Sequence, residues 1–254
     1  MVRILVTNDD GVHSDGIHAL AEALRAIGDV TVVAPHIEAS AIGHALTLRR
    51  PLRVEQLRDR VYEVDGTPTD CVNIAFTKIF DARPDLVVSG INKGYNLGDD
   101  VTYSGTVSGA LEGALLGVPS IAVSQERTRH QYDFTHAAAA AATIAGIVLR
   151  ERLAPQTFLS LNVPTGKPKG FKLTVQAKRN HVTIVDERID PRGRAYYWIE
   201  EGENDWEPHD RSDFQAVRDG YVSVTPLQPD LTDYDALARL ERLSLESTPC
   251  DSRA

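Results

Sequence analysis

Two adjacent carboxylates, Asp9 and Asp10, follow a short apolar run at residues 2–6. The run predicts a buried strand, and an open parallel sheet binds its ligand in the crevice beyond the carboxyl ends of its strands. Two neighbouring carboxylates in such a crevice repel each other unless a positive charge lies between them. The pair therefore points to a hard divalent cation.

Two further segments carry oxygen donors just after predicted strands. The segment 34–44 contains the hydroxyl of Ser40, and the glycine-punctuated segment 89–98 contains Asn92 and Asn96. Carboxylate, hydroxyl and amide oxygens suit Mg²⁺ or Mn²⁺, whereas thiolates or a histidine cluster would indicate zinc. These segments therefore favour a magnesium or manganese site.

A fourth segment, residues 103–109, opens a predicted helix at Ser104-Gly105-Thr106. The first turn of a helix offers unpaired backbone N–H groups and the positive end of the helix dipole, both of which bind phosphate. Gly105 would let the backbone come close to such a group. A metal ion beside an anion pocket indicates hydrolysis of a phosphate ester.

Each feature also has an ordinary structural interpretation. Adjacent acids after a strand commonly cap a helix or face solvent, and Ser104 and Thr106 are common helix caps. Glycines at every fourth position from Gly105 to Gly117 are typical of close helix packing. The convergence of four segments, each offering an oxygen ligand or a phosphate donor, favours a site. The remaining candidate residues are of types that are also common in turns and on protein surfaces: Ser40, His36, His44, Asn92 and Asn96.

The composition is that of a globular protein with a sizeable core. The 254 residues are 42% hydrophobic, and the net charge of −9 argues against duplex DNA or an acidic membrane, because such surfaces are bound through clustered Lys and Arg. The two cysteines, Cys71 and Cys250, suggest neither a disulfide framework nor a zinc site, and Cys71 is expected as a buried residue of a helix. No secretory signal is visible, and the apolar stretch 137–149 is shorter than the ~20 residues of a membrane span. We therefore expect no nucleic acid polymer and no membrane as partner, and a cytoplasmic location.

Alternating strands and helices must position these side chains. Apolar runs predict strands at 2–6, 30–34, 86–89, 121–124 and 158–163. Helical spacing predicts helices at 17–27, 70–80, 106–116 and 135–152. This alternation indicates an α/β fold with a Rossmann-like, doubly wound and mostly parallel sheet.

The chain is expected to form a single domain over residues 1–254, with a core at about 1–165 and a C-terminal hairpin and tail at about 166–254. The turn-forming segment 164–168 marks the change, and 188–194 is predicted to form the tip of a β-hairpin. Because such a hairpin has little core of its own, we expect it to pack on another subunit.

At these motifs the sequence resembles the SurE family, the survival-protein nucleotidases. The resemblance extends over almost the whole chain, and the strand-borne Asn-Asp-Asp-Gly together with the distant Ser-Gly-Thr-Val-Ser-Gly-Ala is its most specific part. The matching segments are 4–11, 33–35, 66–68, 89–92, 104–113, 196–198 and 224–227.

The resemblance implies a metal-dependent phosphatase that acts on nucleoside 5′- and 3′-monophosphates, with short polyphosphate as a further substrate of some members. It implies one divalent cation, Mg²⁺ or Mn²⁺, and a homodimer or homotetramer that exchanges C-terminal segments. By position, the implied metal ligands are Asp9, Asp10, Ser40 and Asn92. The implied phosphate site is lined by Asn96, Ser104, Gly105 and Thr106.

Under this hypothesis Asp9 orients or deprotonates the attacking water, while the cation lowers the pKa of that water and offsets developing charge. A rival mechanism makes Asp9 the nucleophile, as in haloacid dehalogenase-like phosphatases, although their two acids lie one residue apart and these are adjacent. The alternative outside enzymes is a metal-linked nucleotide-binding or sensing module without turnover. It is disfavoured because acids follow the first strand in place of a glycine-rich dinucleotide fingerprint. The preferred base, the phosphate position, the choice of cation and the number of subunits stay open.

Overall fold

The computed structural model describes residues 1–128, 132–180, 183–201 and 205–243. The strands are β1 Arg3–Thr7, β2 Asp29–Pro35, β3 Val54–Arg58, β4 Val61–Val64, β5 Leu86–Lys93, β6 Ser120–Gln125, β7 Phe158–Val163, β8 Phe171–Leu173, β9 Arg179–Asn180, β10 Thr183–Ile189, β11 Ala195–Glu201, β12 Asp205–Trp206 and β13 Val222–Leu227. The helices are α1 Asp15–Leu24, α2 Pro68–Ile74, α3 Gly105–Leu115, α4 Thr135–Glu151, α5 Asp213–Arg218 and α6 Tyr234–Glu241. A π-helical turn, Ala75–Ile79, extends α2, and a 3₁₀ turn, Gly98–Thr102, precedes α3.

Nine strands form one sheet in the order β3-β4-β2-β1-β5-β6-β7-β13-β8. The central strands β2, β1, β5, β6 and β7 run parallel, and antiparallel pairing joins β3 to β4 and β13 to β7. The chain moves outward from β1 in both directions, to β2 on one side and to β5 on the other. Sheets of this kind bind ligands at such a switch point. The predicted doubly wound, mostly parallel sheet is confirmed.

Helices cover both faces of the sheet because the apolar side chains of the strands alternate. On β1, Ile4 and Val6 pack in one cluster with α1 and α4, whereas Leu5 packs in another cluster with α2. Cys71 of α2 belongs to that second cluster and is fully buried, as predicted, and burial raises the pKa of its thiol. Cys250 lies outside the described residues.

Helix α3 lies close to the sheet along its glycine face. A Cβ atom at Gly109 would lie 2.8 Å from the Oγ atom of Ser89, inside the distance at which two such atoms can pack. Gly117 follows the helix with a φ of +78°, the left-handed conformation of a glycine that ends a helix. The predicted close packing of the glycine repeat is therefore present.

The main sheet also takes in two strands from beyond residue 165. Strand β13 pairs with β7, with Val224 opposite Leu161, and β8 then pairs with β13. The predicted hairpin is present as a separate two-stranded sheet of β10 and β11. Among the described helices, none is long and apolar enough to cross a membrane.

Candidate active site

The end of β1 and the end of β5 lie side by side at the switch point of the sheet. Thr7, the last residue of β1, pairs with Ser89 of β5, so the turn after β1 lies beside the final residues of β5. The Asn8 side chain holds that turn, because its Nδ2 donates to the Gly11 carbonyl at 3.1 Å and to the Ser14 hydroxyl at 2.8 Å. Asp9, Asp10 and Asn92 therefore share one edge of the sheet.

The Asp9 carboxylate is buried against the first turn of α3, with only 5% of the residue exposed. The Thr106 hydroxyl donates a hydrogen bond to Asp9 Oδ1, and the Thr106 backbone N–H also faces the carboxylate. Burial raises the pKa of Asp9 above its ordinary value in spite of these donors, and the charge of Glu38 adds to the rise. Because it is buried, the Asp9 carboxylate would be stabilised by gaining a proton or by binding a cation.

Helix α3 reaches Asp9 only because position 105 carries no side chain. A Cβ atom at Gly105 would lie 2.8 Å from the Cβ of Asp9 and 2.9 Å from its Oδ2. The same atom would lie 3.1 Å from Cγ2 of Ile42, a residue of the loop after β2. The helix start, the carboxylate and the loop thus meet at one point.

Asp10 supplies an oxygen with no partner. Its Oδ2 is buried without a hydrogen-bond partner among the described residues. Burial and the neighbouring charge of Asp9 raise the pKa of Asp10 to about 6, against the opposing effect of Lys93. A buried carboxylate oxygen without a donor is costly, and a bound cation would satisfy it.

Asn92 lies near the end of β5, and Ser40 lies on the loop after β2. The Asn92 Nδ2 donates to the Gly94 carbonyl at 2.9 Å, which leaves its Oδ1 available as a ligand. The backbone N–H of Ala39 donates to the Asp9 carbonyl at 2.8 Å, so Ser40 is one residue from a direct contact with the β1 turn. The Ser40 hydroxyl itself is exposed and donates to Glu38 Oε1 at 2.6 Å.

The donor set suits a hard divalent cation. It combines two carboxylates, an amide oxygen and a hydroxyl. One oxygen of the Asp10 carboxylate is buried without a hydrogen-bond partner among the described residues. Within the part of the chain that the structure describes, no three His, Cys, Asp or Glu side chains converge as a metal site. The chemistry of these oxygen donors therefore suits a hard divalent cation better than zinc, which favours His and Cys ligands.

The first turn of α3 supplies donors beside these acids. The Ser104 hydroxyl caps the helix by accepting from the Val107 N–H at 3.1 Å, and Ser104 and Thr106 are both buried. The first N–H groups of a helix have no acceptor within the helix, which applies to Gly105 and Thr106. These groups can hold an anion.

Asn96 is anchored at the ends of two other strands. Its Nδ2 donates to the Ser124 hydroxyl at 2.7 Å, and its backbone N–H donates to Asn162 Oδ1 at 2.8 Å. Asn162 in turn donates to the Asn96 carbonyl at 3.1 Å. One N–H of the Asn96 amide is used by Ser124, which leaves the second one to donate elsewhere.

Two charged neighbours of the site had no role in the sequence interpretation. Glu38 raises the pKa values of both Asp9 and Asp10, and Lys93 lowers that of Asp10 through its charge and its backbone N–H. Their positions give the only signal, since Glu38 lies two residues before Ser40 and Lys93 follows Asn92.

The comparisons with known proteins agree with this geometry. The family model described as survival protein SurE matches residues 4–183. A protein named 5′-nucleotidase SurE from Syntrophotalea carbinolica is 52% identical over 95% of this chain and 97% of its own length. Another with the same name, from Geobacter sulfurreducens, is 51% identical over 97% of this chain and 95% of its own length. The crystal structure of a SurE protein from Aquifex aeolicus superposes with a TM-score of 0.85 at 45% identity, covering 95% of this chain and 99% of that one. The chain belongs to the survival protein SurE family.

Proposed function

We propose that this chain is a metal-dependent phosphomonoesterase that hydrolyses nucleoside 5′- and 3′-monophosphates to nucleoside and phosphate. The observation that carries the proposal is the contact between the buried Asp9 carboxylate and the first turn of α3. That contact joins a cation-binding group to an anion-binding helix start, as a phosphate ester requires. Relatives about half identical to this chain bear the name 5′-nucleotidase, which supports the same substrate class.

One divalent cation per chain, Mg²⁺ or Mn²⁺, is proposed as the cofactor. Four residues would hold it: Asp9, Asp10, Ser40 and Asn92. When bound, the cation supplies positive charge to the phosphate oxygens and lowers the pKa of a water molecule. The Oδ2 of Asp10, which is buried without a hydrogen-bond partner among the described residues, is the atom of this set that such a cation would satisfy.

Asp9 is proposed to orient the attacking water and to take its proton. Its raised pKa and its burial suit a general base, and the Thr106 hydroxyl fixes one of its oxygens. The water oxygen would then form its bond to phosphorus as the ester P–O bond breaks. The leaving nucleoside oxygen would take a proton from solvent, and Asp9 would return its proton to solvent.

The phosphate oxygens are proposed to lie against the helix start. The donors are the backbone N–H of Gly105, the Ser104 hydroxyl and the second N–H of the Asn96 amide. Thr106, whose hydroxyl and N–H face Asp9, lines the site beside them. Since these groups are buried and held by the backbone, they stabilise the transition state by positioning and electrostatics.

The test is release of inorganic phosphate from a panel of nucleoside 5′- and 3′-monophosphates and a short polyphosphate, with Mg²⁺, Mn²⁺ or EDTA. We expect metal-dependent release that EDTA abolishes and that ranks the substrates. Asp9→Asn should release none while remaining folded. Nucleotide that binds the metal-loaded protein but is recovered unchanged would support a binding module and contradict the proposal.

We also propose that the chain forms a homodimer or homotetramer through the hairpin of β10 and β11. Cross-strand pairing places four apolar side chains on one face of the hairpin, and 58% to 79% of each is exposed: Val185, Ile189, Tyr197 and Ile199. An isolated two-stranded sheet is only marginally stable in water, so a second chain covering this face would stabilise it.

A further inference from the structure

The loop that carries Ser40 is exposed, and it is held in place by hydrogen bonds. We call residues 36–47 the Ser40 loop. Near its start, the Ala39 N–H donates to the Asp9 carbonyl at 2.8 Å, and in its middle the Gly43 N–H donates to the Tyr103 carbonyl at 2.9 Å. At its end, the Thr47 N–H donates to Asp70 Oδ1 at 2.9 Å. Most of its side chains face solvent, so packing alone does not fix its position.

His44 joins the Ser40 loop to α3 through the carboxylate of Glu112. Its Nε2 lies 2.7 Å from Oε2 of Glu112, and the His44 side chain is about two-thirds covered, with 32% exposed. Glu112 is buried, with 7% of the residue exposed, on the helix whose first turn contacts Asp9. A buried carboxylate must be paired, which makes this contact a strong constraint on the loop.

A second donor fixes the other oxygen of Glu112. The Asn73 Nδ2 donates to Glu112 Oε1 at 2.7 Å and also to the Thr69 carbonyl at 3.0 Å, so α2 holds the carboxylate in one orientation. Burial opposes ionisation of Glu112, but the hydrogen bonds from His44 and Asn73 outweigh it and lower the pKa of the carboxyl. Glu112 is therefore an ionised, oriented acceptor aimed at the Ser40 loop.

We propose that His44 and Glu112 are positioning residues for the metal centre, which hold the Ser40 loop so that Ser40 stays next to the turn that carries Asp9 and Asp10. Helix α3 then serves the site twice: its first turn contacts Asp9, and Glu112, two turns later, anchors the loop that bears Ser40. The inference rests on the proposed metal site. It assigns to His44 a role through Ser40, with no contact to substrate.

The test is direct binding of Mn²⁺, measured from the electron paramagnetic resonance signal of the free ion. His44→Ala and Glu112→Gln should weaken Mn²⁺ binding about 10- to 100-fold, the range found when residues that orient metal ligands are replaced. At saturating Mn²⁺ the kcat for a nucleoside monophosphate should stay near that of the unmodified protein. His44→Gln retains an N–H donor and should recover part of the affinity.

A double-mutant cycle separates positioning from a general structural effect. In a Ser40→Ala background, His44→Ala should weaken Mn²⁺ binding little further, because its effect passes through the missing hydroxyl. His136→Ala on α4 is the matched control and should bind Mn²⁺ normally. Circular dichroism of each variant checks folding. If His44→Ala does not fold, the Mn²⁺ binding of His44→Gln and Glu112→Gln tests the proposal in its place.

The outcomes distinguish this inference from the proposed function. If the unmodified protein binds Mn²⁺ and His44→Ala and Glu112→Gln bind it equally well, the inference is wrong and the proposed function stands. Additive losses from Ser40→Ala and His44→Ala would also overturn it. If the unmodified protein binds no Mn²⁺, the proposed metal site fails, and the inference fails with it.

Discussion

The Cβ atom that Gly105 lacks would lie 2.8 Å from the Cβ of Asp9. This distance ties the start of α3 to the turn after β1, two segments that are nearly a hundred residues apart in the chain. Because the Thr106 hydroxyl also donates to Asp9, the helix start and the carboxylate form one connected unit. The proposed chemistry depends on that unit.

Gly105→Ala should therefore lower activity strongly. The new methyl group would push α3 from Asp9, and a displacement of about 1 Å can cost about 100-fold in kcat/KM. Overpacking should also lower the free energy of unfolding by about 1–3 kcal/mol. Phosphate release and urea denaturation measure the two effects.

Gly146→Ala is the matched control. A Cβ atom there would meet only the Arg150 guanidinium, at an ordinary 3.7 Å, within helix α4. This variant should keep full activity and gain about 0.5–1 kcal/mol of stability, because alanine favours a helix more than glycine does. Equal activities of the two variants would contradict the role given to Gly105.

Asp9→Asn should abolish turnover without destabilising the metal-free protein. Since the folded state raises the pKa of Asp9, its ionised form is less favourable in the folded than in the unfolded chain, and this disadvantage grows as the pH rises above the ordinary value of 3.8. Removing the charge should leave the metal-free Tm unchanged or higher. Thermal melts with and without Mn²⁺ measure this: Mn²⁺ should raise the Tm of the unmodified protein and leave that of Asp9→Asn unchanged. An equal Mn²⁺ shift in both would place the cation elsewhere.

The pair of His44 and Glu112 should contribute stability that depends on pH. The folded-state pKa of Glu112 lies below its ordinary value of 4.5, so the contribution is present above pH 4.5 and is lost as the pH falls through the folded-state pKa. At neutral pH, Glu112→Gln should lower the free energy of unfolding by about 1–2 kcal/mol, since it weakens hydrogen bonds to a buried charge. Urea denaturation at a series of pH values should show the difference shrink below pH 4.5. If the difference in free energy of unfolding between the two proteins grew as the pH fell, this prediction would be contradicted.

Ile199→Asp should disrupt the proposed oligomer. Ile199 is 79% exposed on the apolar face of the hairpin, where a charge in a covered interface would be unpaired. Light scattering should show at least two chains in the unmodified protein and a single chain in the variant. Leu231→Asp is the control, because Leu231 is 92% exposed but lies away from the hairpin in sequence and should not change the mass. A single chain before any substitution would refute the proposed role of the hairpin.

The sequence predicts the centre of this fold better than its edges. Strands such as β1 and β6 are buried on both faces and appear as continuous apolar runs, which is the clearest strand signal. Strand β3 is exposed along its whole length and includes Glu55 and Arg58, so no apolar pattern marks it. Helix α6 has an amphipathic pattern but no buried residues in this structure.

The candidate site follows the same division. Short contiguous motifs at strand ends and at a helix start are enough to predict candidate site residues such as Asp9, Asn92 and Thr106. The contact of His44 with Glu112 joins residues 68 positions apart and appears only when α3 and the Ser40 loop are placed together. The raised pKa of Asp9 likewise depends on burial, which the residue type does not reveal.

The most direct test of the central claim is the position of a bound Mn²⁺ ion, found by anomalous X-ray diffraction from crystals grown with MnCl₂ and phosphate. We expect one anomalous peak per chain, in contact with oxygens of Asp9, Asp10, Ser40 and Asn92, and a phosphate against the first turn of α3. A fully occupied Mn²⁺ peak at other residues, or no peak at this edge of the sheet in protein that hydrolyses nucleotides, would contradict the account.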